Sequence, residues 1–250
     1  MNKVSIYIVL LIGLILPSQT IMAKTLHAIL VADTVHDISS ITRPDLAKWQ
    51  QELRVISKHT QMTLKEKSFS GREFQKDVVS NYIKDLAVGA DDAVVFFFSG
   101  HGYRTAQKNT PCPFLMFEFY KQGIDLKWVS DTISDKKPRF ALIMSDCCNN
   151  YVERGFTNEG KNIQVNLSTI QPNNRGYRQL FCNAKGCILI SSCSPGQFSY
   201  GSRFGGLYTQ CFFASLNKEL SEKTPSWKNL LQRANGYINH IQKPVCQISR

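Results

Sequence analysis

Short apolar runs and stretches of helical spacing alternate along this chain, and the alternation predicts most of its elements. Leu26 to Ala32 is a β-compatible apolar run closed by Asp33, which predicts a buried first strand. Pro44 to Lys58 places Leu46, Trp49, Leu53 and Ile56 at helical spacing, with Pro44 suited to a first helical turn. Met62 to Ser68 reads as a second strand. Arg72 to Leu86 predicts another helix, with Phe74, Val78, Val79, Ile83 and Leu86 on one side and Ser70 as its N-cap. The run AVVFFF, Ala93 to Phe98, has no polar interruption, the pattern of a strand covered on both faces of a parallel sheet. Similar runs follow at Phe114–Glu118, Phe140–Ser145 and Gly186–Ser191, interleaved with helical stretches at Asp125–Ser134, Tyr208–Leu220 and Trp227–Ile241. Strands alternating with helices predict an α/β fold whose central sheet is mostly parallel and flanked by helices on both sides. The polar segment from Asn149 to Leu180, rich in Asn and Gly, reads as one long loop.

Composition narrows this without redirecting it. At 250 residues, 43% hydrophobic and 20% charged, the chain suits one large globular domain. The opening segment has Lys3, an uncharged apolar run from Val4 to Leu16, Pro17 and a polar stretch ending at Ala23, which is the order of a signal peptide. The expectation is therefore a leader over residues 1–23, a domain over 24–250 and an exported protein, with an uncleaved anchor as the alternative. No other segment is apolar for long enough to span a membrane. Loss of the leader removes one lysine and no acid, so the net charge falls from +11 to +10. Lysines and arginines are scattered rather than clustered, which argues for a solvated basic surface and against a specific nucleic-acid partner.

Eight cysteines, Cys112, Cys147, Cys148, Cys182, Cys187, Cys193, Cys211 and Cys246, invite a disulfide reading in an exported chain. Cys182 and Cys187 could close a small loop, and Cys112 or Cys246 could also pair. The spacings carry no zinc signature, and no motif calls for a metal or a cofactor. The vicinal pair Cys147–Cys148 stands apart, because adjacent residues seldom bridge comfortably.

Parallel sheets offer their sites at the carboxyl ends of the strands. The AVVFFF strand runs into Ser99-Gly100-His101-Gly102, an imidazole between two glycines. The FALIMS strand runs into Asp146-Cys147-Cys148, a thiol. A base and a nucleophile at one sheet edge are the minimum for acyl transfer.

These segments, FFFSGHG at 96–102 and SDCCN at 145–149, resemble the caspase-like cysteine peptidases, most closely the metacaspase branch. ILISSCSPGQFSYGS at 188–202 and GGLYTQCFF at 205–213 resemble a later strand and loop of that family. The resemblance implies a three-layer caspase-like fold and a cysteine endopeptidase acting on polypeptides. In it His101 is the general base, Cys148 the nucleophile, and the backbone N–H groups of Gly102 and Cys148 the oxyanion hole. It also places Asp146 and Asp45 in the pocket for the residue before the cut, with Gln197 and Ser199 contacting substrate. Two acids there would select Arg or Lys. For Asp45 a helix-terminal role is equally open.

The chain departs from the family pattern at three places. Asn149-Asn150-Tyr151 replaces His-Ser-Gly after the nucleophile. Glu118 and Asp125 are the only acids between Tyr103 and Lys127, where many metacaspases bind calcium. Ser194-Pro195-Gly196 stands where acids precede Gln197. In some relatives a loop is processed; here 149–180, with Arg154, Lys161 and Arg175, is the candidate. Two rivals remain: a catalytically inactive caspase-like module that binds proteins, and a basic protein that binds an anionic polymer.

Overall fold

The computed structural model describes residues 24–118, 122–152 and 174–249. Residues 1–23, expected as a leader, and the central part of the 149–180 segment, with Arg154 and Lys161, lie outside the described residues. In chain order the strands are β1 (Thr25–Ala32), β2 (Thr63–Phe69), β3 (Ala93–Ser99), β4 (Gly102–Tyr103), β5 (Phe114–Glu118), β6 (Gln122–Asp125), β7 (Phe140–Asp146), β8 (Gly186–Ser191), β9 (Gly201–Ser202), β10 (Gly205–Gly206) and β11 (Val245–Ser249). The helices are α1 (Ser39–Thr60), α2 (Lys76–Asp85), α3 (Leu126–Asp135), α4 (Asn174–Tyr177), α5 (Leu207–Leu220) and α6 (Trp227–Ile238).

Six strands form one sheet in the order β11-β8-β7-β3-β1-β2, parallel throughout except for β11 at one edge. Alternation of side chains explains why the interior strands are apolar without a break. Val95 and Phe97 of β3 face a core shared with α1, α5 and α6, while Val94, Phe96 and Phe98 face a second core shared with α2 and α3. Both sides need oil, so no polar position is left. The result is an α/β fold of three layers.

In the first core Trp49 sits among Phe97, Phe212 and Phe213 at ring-centroid distances of 5.1, 5.4 and 4.9 Å. The stripe of α1 that reaches this core is Thr42, Asp45, Trp49, Leu53, Ile56 and Thr60, so Leu46 lies at its margin and a carboxylate occupies a core position. The helix also starts earlier than Pro44, at Ser39. Tertiary bonds hold the extra turn: Thr42 Oγ1 donates to the Asp33 carbonyl and Arg43 to the Thr34 carbonyl. Asp45 therefore lies beyond the first turn, where the helix-terminal reading has no force.

Other expectations change for physical reasons. Residues 71–73 form a separate 3-10 turn, Ser70 caps nothing with its side chain, and α2 begins only at Lys76. Val78 consequently faces solvent. Phe114–Glu118 leaves the main sheet and pairs antiparallel with β4 and β6, the partners that short connections allow. Residues 174–182 are not loop: Tyr177, Leu180 and Phe181 pack into the first core through α4 and a following wide turn. All eight cysteines are thiols. Cys182 and Cys187 belong to the cores on opposite faces of the sheet, which rules out the small loop they could have closed.

Because Trp49 joins α1, β3 and α5, Trp49→Ala is expected to cost about 3–5 kcal/mol of unfolding free energy, measured by urea denaturation.

Candidate active site

Register places the site. Ala32 of β1 pairs with Ser99 of β3, and Ser99 pairs with Asp146 of β7, so these strands end level. His101 and Cys148 each follow their strand by two residues and emerge at the same edge. The two loops then run side by side, with Arg104 N donating to the Asn150 carbonyl at 2.8 Å and Val152 N to the Arg104 carbonyl at 3.2 Å. Gly102 is what lets them touch. A Cβ on it would lie 2.3 Å from the Cys148 carbonyl oxygen and 2.5 Å from the Cys147 sulfur, so any side chain is excluded.

His101 is buried, its carbonyl accepts Met116 N at 3.0 Å, and its Nε2 lies 2.8 Å from Asp37 Oδ1. Asp37 was not singled out by sequence reasoning. Cys148 is only partly buried and Cys147 wholly so. The Cys148 sulfur accepts from Ser199 N at 3.4 Å. Burial pushes its thiol up to about 11, against the opposing pull of the Ser199 N–H, and the nearby Asp146 carboxylate adds to the rise. Cys147 is pushed well up by burial and by its neighbour. Near neutral pH both sulfurs are thiols.

Asp45 and Asp146 meet under this edge. Asp45 Oδ2 accepts Ser99 Oγ at 2.7 Å, and both its oxygens accept Gly206 N, at 2.9 and 3.1 Å. Asp146 Oδ1 accepts Ser199 Oγ at 2.7 Å, while its Oδ2 accepts Thr209 N at 2.8 Å and Thr209 Oγ1 at 2.7 Å. Burial raises both carboxyl pKa values, and for Asp45 the charge of Asp146 adds to it. Every donor here is neutral, and among the described residues no cation forms an ion pair with either carboxylate. Lys48 acts on Asp45 only at longer range. Gly205 and Gly206 make the approach possible, since a Cβ on either would lie 2.2 Å from an oxygen of Asp45 or Asp146 respectively. Gly205 also has φ of +111°, a conformation other residues rarely adopt.

Ser199 touches both Cys148 and Asp146. The Gln197 side-chain oxygen accepts Ser194 N and Lys243 N, which ties down its own loop. Gln242, unremarked in the sequence, is buried and donates to the Ser192 carbonyl and Ser199 Oγ.

The Asn149 departure has a structural role. Its side chain accepts from Arg104 at 3.0 Å and donates to the carbonyls of Pro111 and Cys193 at 2.7 and 3.2 Å. Its backbone N–H donates to Gln197 O, and its carbonyl accepts Gly196 N. One buried residue thus ties the loop after β7 to two others, the β4–β5 connection and the loop after β8. Asp125 is engaged as the cap of α3 and as the partner of Lys108 at 2.6 Å.

The caspase domain profile matches residues 53–250. The chain belongs to the caspase domain family. No curated protein sequence matches it. Among solved structures, the crystal structure of protein GSU0716 from Geobacter sulfurreducens superimposes with a TM-score of 0.60 at 12% identity, covering 90% of this chain and 93% of that one. At that identity the likeness speaks for the fold alone. Membership of a peptidase family implies polypeptide substrates for this caspase domain.

Two outcomes follow. Alkylation of Cys148 by iodoacetamide should quicken roughly tenfold per pH unit between pH 7 and 10, as the thiolate fraction grows toward a pKa of about 11; mass spectrometry should find the label on Cys148, not Cys147. Asn149→Ala, which leaves three buried partners in two loops unpaired, is expected to cost about 2–4 kcal/mol by chemical denaturation.

Proposed function

We propose that this caspase domain is an active cysteine endopeptidase that cuts after Arg or Lys through a His101–Cys148 dyad. The observation that carries this reading is the buried pair Asp45–Asp146, joined to the nucleophile through Ser199 and answered only by neutral donors. A carboxylate still has acceptor capacity after two or three such bonds. Two like charges held together in low dielectric are costly until a cation joins them. An arginine side chain fits that need best, since its planar fork meets carboxylates bidentately.

The mechanism begins from a neutral thiol. As substrate arrives, His101 takes the Cys148 proton while the sulfur attacks the scissile carbonyl. The backbone N–H groups of Gly102 and Cys148 receive the developing oxyanion. The imidazolium then gives its proton to the leaving amine, and water, deprotonated by the same ring, releases the acyl group from sulfur. The metacaspase branch is the reading that the basic preference favours, and residues 1–23 are proposed as the leader of an exported protein whose single domain spans 24–250.

The test is turnover of Arg-, Lys- and Asp-terminated peptide reporters by the 24–250 chain. Cleavage after Arg above Lys is expected, with none after Asp. Cys148→Ala should abolish turnover, Cys147→Ala should keep it, and Asp146→Asn should lose the basic preference. Full activity of Asp146→Asn on Arg reporters would sink the pocket assignment while leaving the dyad. A folded protein that cuts no reporter would point to the binding module instead.

Stability offers a second test, with a defined sign. The raised carboxyl pKa values mean that stability is fullest below the unfolded carboxyl pKa near 4 and is lost as pH rises through the folded values. Asp45→Asn removes one of the two charges. Its unfolding free energy relative to the parent chain should therefore grow from pH 4 to pH 7.

A further inference from the structure

We propose that Asp37 is the positioning residue of the dyad, holding His101 so that Nδ1 is the nitrogen that serves Cys148. This rests on the peptidase reading of the same site and adds a third member that the sequence pattern did not supply. The hydrogen bond from His101 Nε2 to Asp37 Oδ1 is 2.8 Å, with the imidazole buried and the carboxylate half exposed. An ionised carboxylate only accepts, so the proton of the neutral ring belongs on Nε2 and the lone pair on Nδ1. That tautomer is the one in which Nδ1 can act as the base.

Asp37 is not placed there by accident of a surface side chain. Its loop begins where β1 ends and is fixed at several points. Asp33 N donates to the Ser99 carbonyl at 3.0 Å, and the Asp33 carboxylate accepts from His36 N at 3.1 Å and His36 Nδ1 at 2.8 Å. Gly71 N donates to Thr34 Oγ1 at 3.0 Å, and Ser39 N to the His36 carbonyl at 3.0 Å as α1 begins. Asp33 and His36 thus satisfy each other, and Asp37 is delivered to His101. The remaining wall beside this ring, Met116 and Phe117 from β5, is apolar. An exposed ion pair is usually worth little to stability. Here the effect falls on the orientation and tautomer of a base, and on the imidazolium that forms when the thiol is deprotonated.

The experiment compares Asp37→Asn, Asp37→Ala and Asp37→Glu in the 24–250 chain. On an Arg reporter, kcat should fall on the order of 10- to 100-fold in the Asn and Ala variants, KM should stay within about twofold, and Glu should restore much of the loss. Nitrogen-15 spectra of the labelled His101 ring should show Nε2 protonated in the parent chain and a mixed tautomer in Asp37→Asn. Unchanged kcat in the Asn and Ala variants, or a change in KM alone, overturns the proposal. If the parent chain turns over no reporter, the peptidase reading fails separately and the ring spectra decide alone: a parent ring protonated on Nδ1, or one indifferent to Asp37→Asn, refutes the role of Asp37. Since those spectra require the parent chain first, a variant that failed to fold would still leave the tautomer to decide.

Discussion

Two carboxylates, Asp45 and Asp146, are buried together at the carboxyl edge of the sheet, and much of the surrounding structure exists to make that tolerable. Neither can be solvated, so each must find donors within the fold. Ser99 supplies one from the end of β3, Ser199 one from the loop after β8, and Thr209 two from the first turn of α5. The Gly206 N–H comes from the hairpin that ends in α5, and reaches Asp45 only because neither Gly205 nor Gly206 carries a Cβ. Five segments distant in sequence are thereby drawn to one point.

His101 and Cys148 inherit their placement from this convergence. Asp146 is the last residue of β7, and Cys148 leaves the sheet two residues beyond it. Ser199, held by Asp146 and Gln242, lies against the Cys148 sulfur. Gly102 lets the histidine loop close on the cysteine loop, and Asn149 locks the latter to its neighbours from the far side. The His-Ser-Gly that follows the cysteine in the family pattern is absent, yet the loop is firmly held by a different chemistry. The same burial pushes the Cys148 thiol up to about 11, so its sulfur rests as a neutral thiol rather than a thiolate.

What the sequence by itself determined follows from periodicity and strand-end chemistry. AVVFFF and FALIMS had to be interior strands, because a run apolar on both faces is stable only between two cores. Those strands, parallel in one sheet, had to deliver His101 and Cys148 to one edge. Tertiary structure decided what depends on partners remote in sequence. An apolar run such as Phe114–Glu118 carries no mark of whether it joins the main sheet or a small antiparallel one, and connection length settled that. Asp45 occupies a core position on α1, a signal present in the spacing to Trp49, Leu53 and Ile56, but its meaning came from Asp146, about a hundred residues away. Asp37 looks like any loop aspartate until the loop after β1 is folded against β3. The reason is the same in each case: a buried polar group is defined by the donors and charges around it, and those are assembled only when the chain has folded.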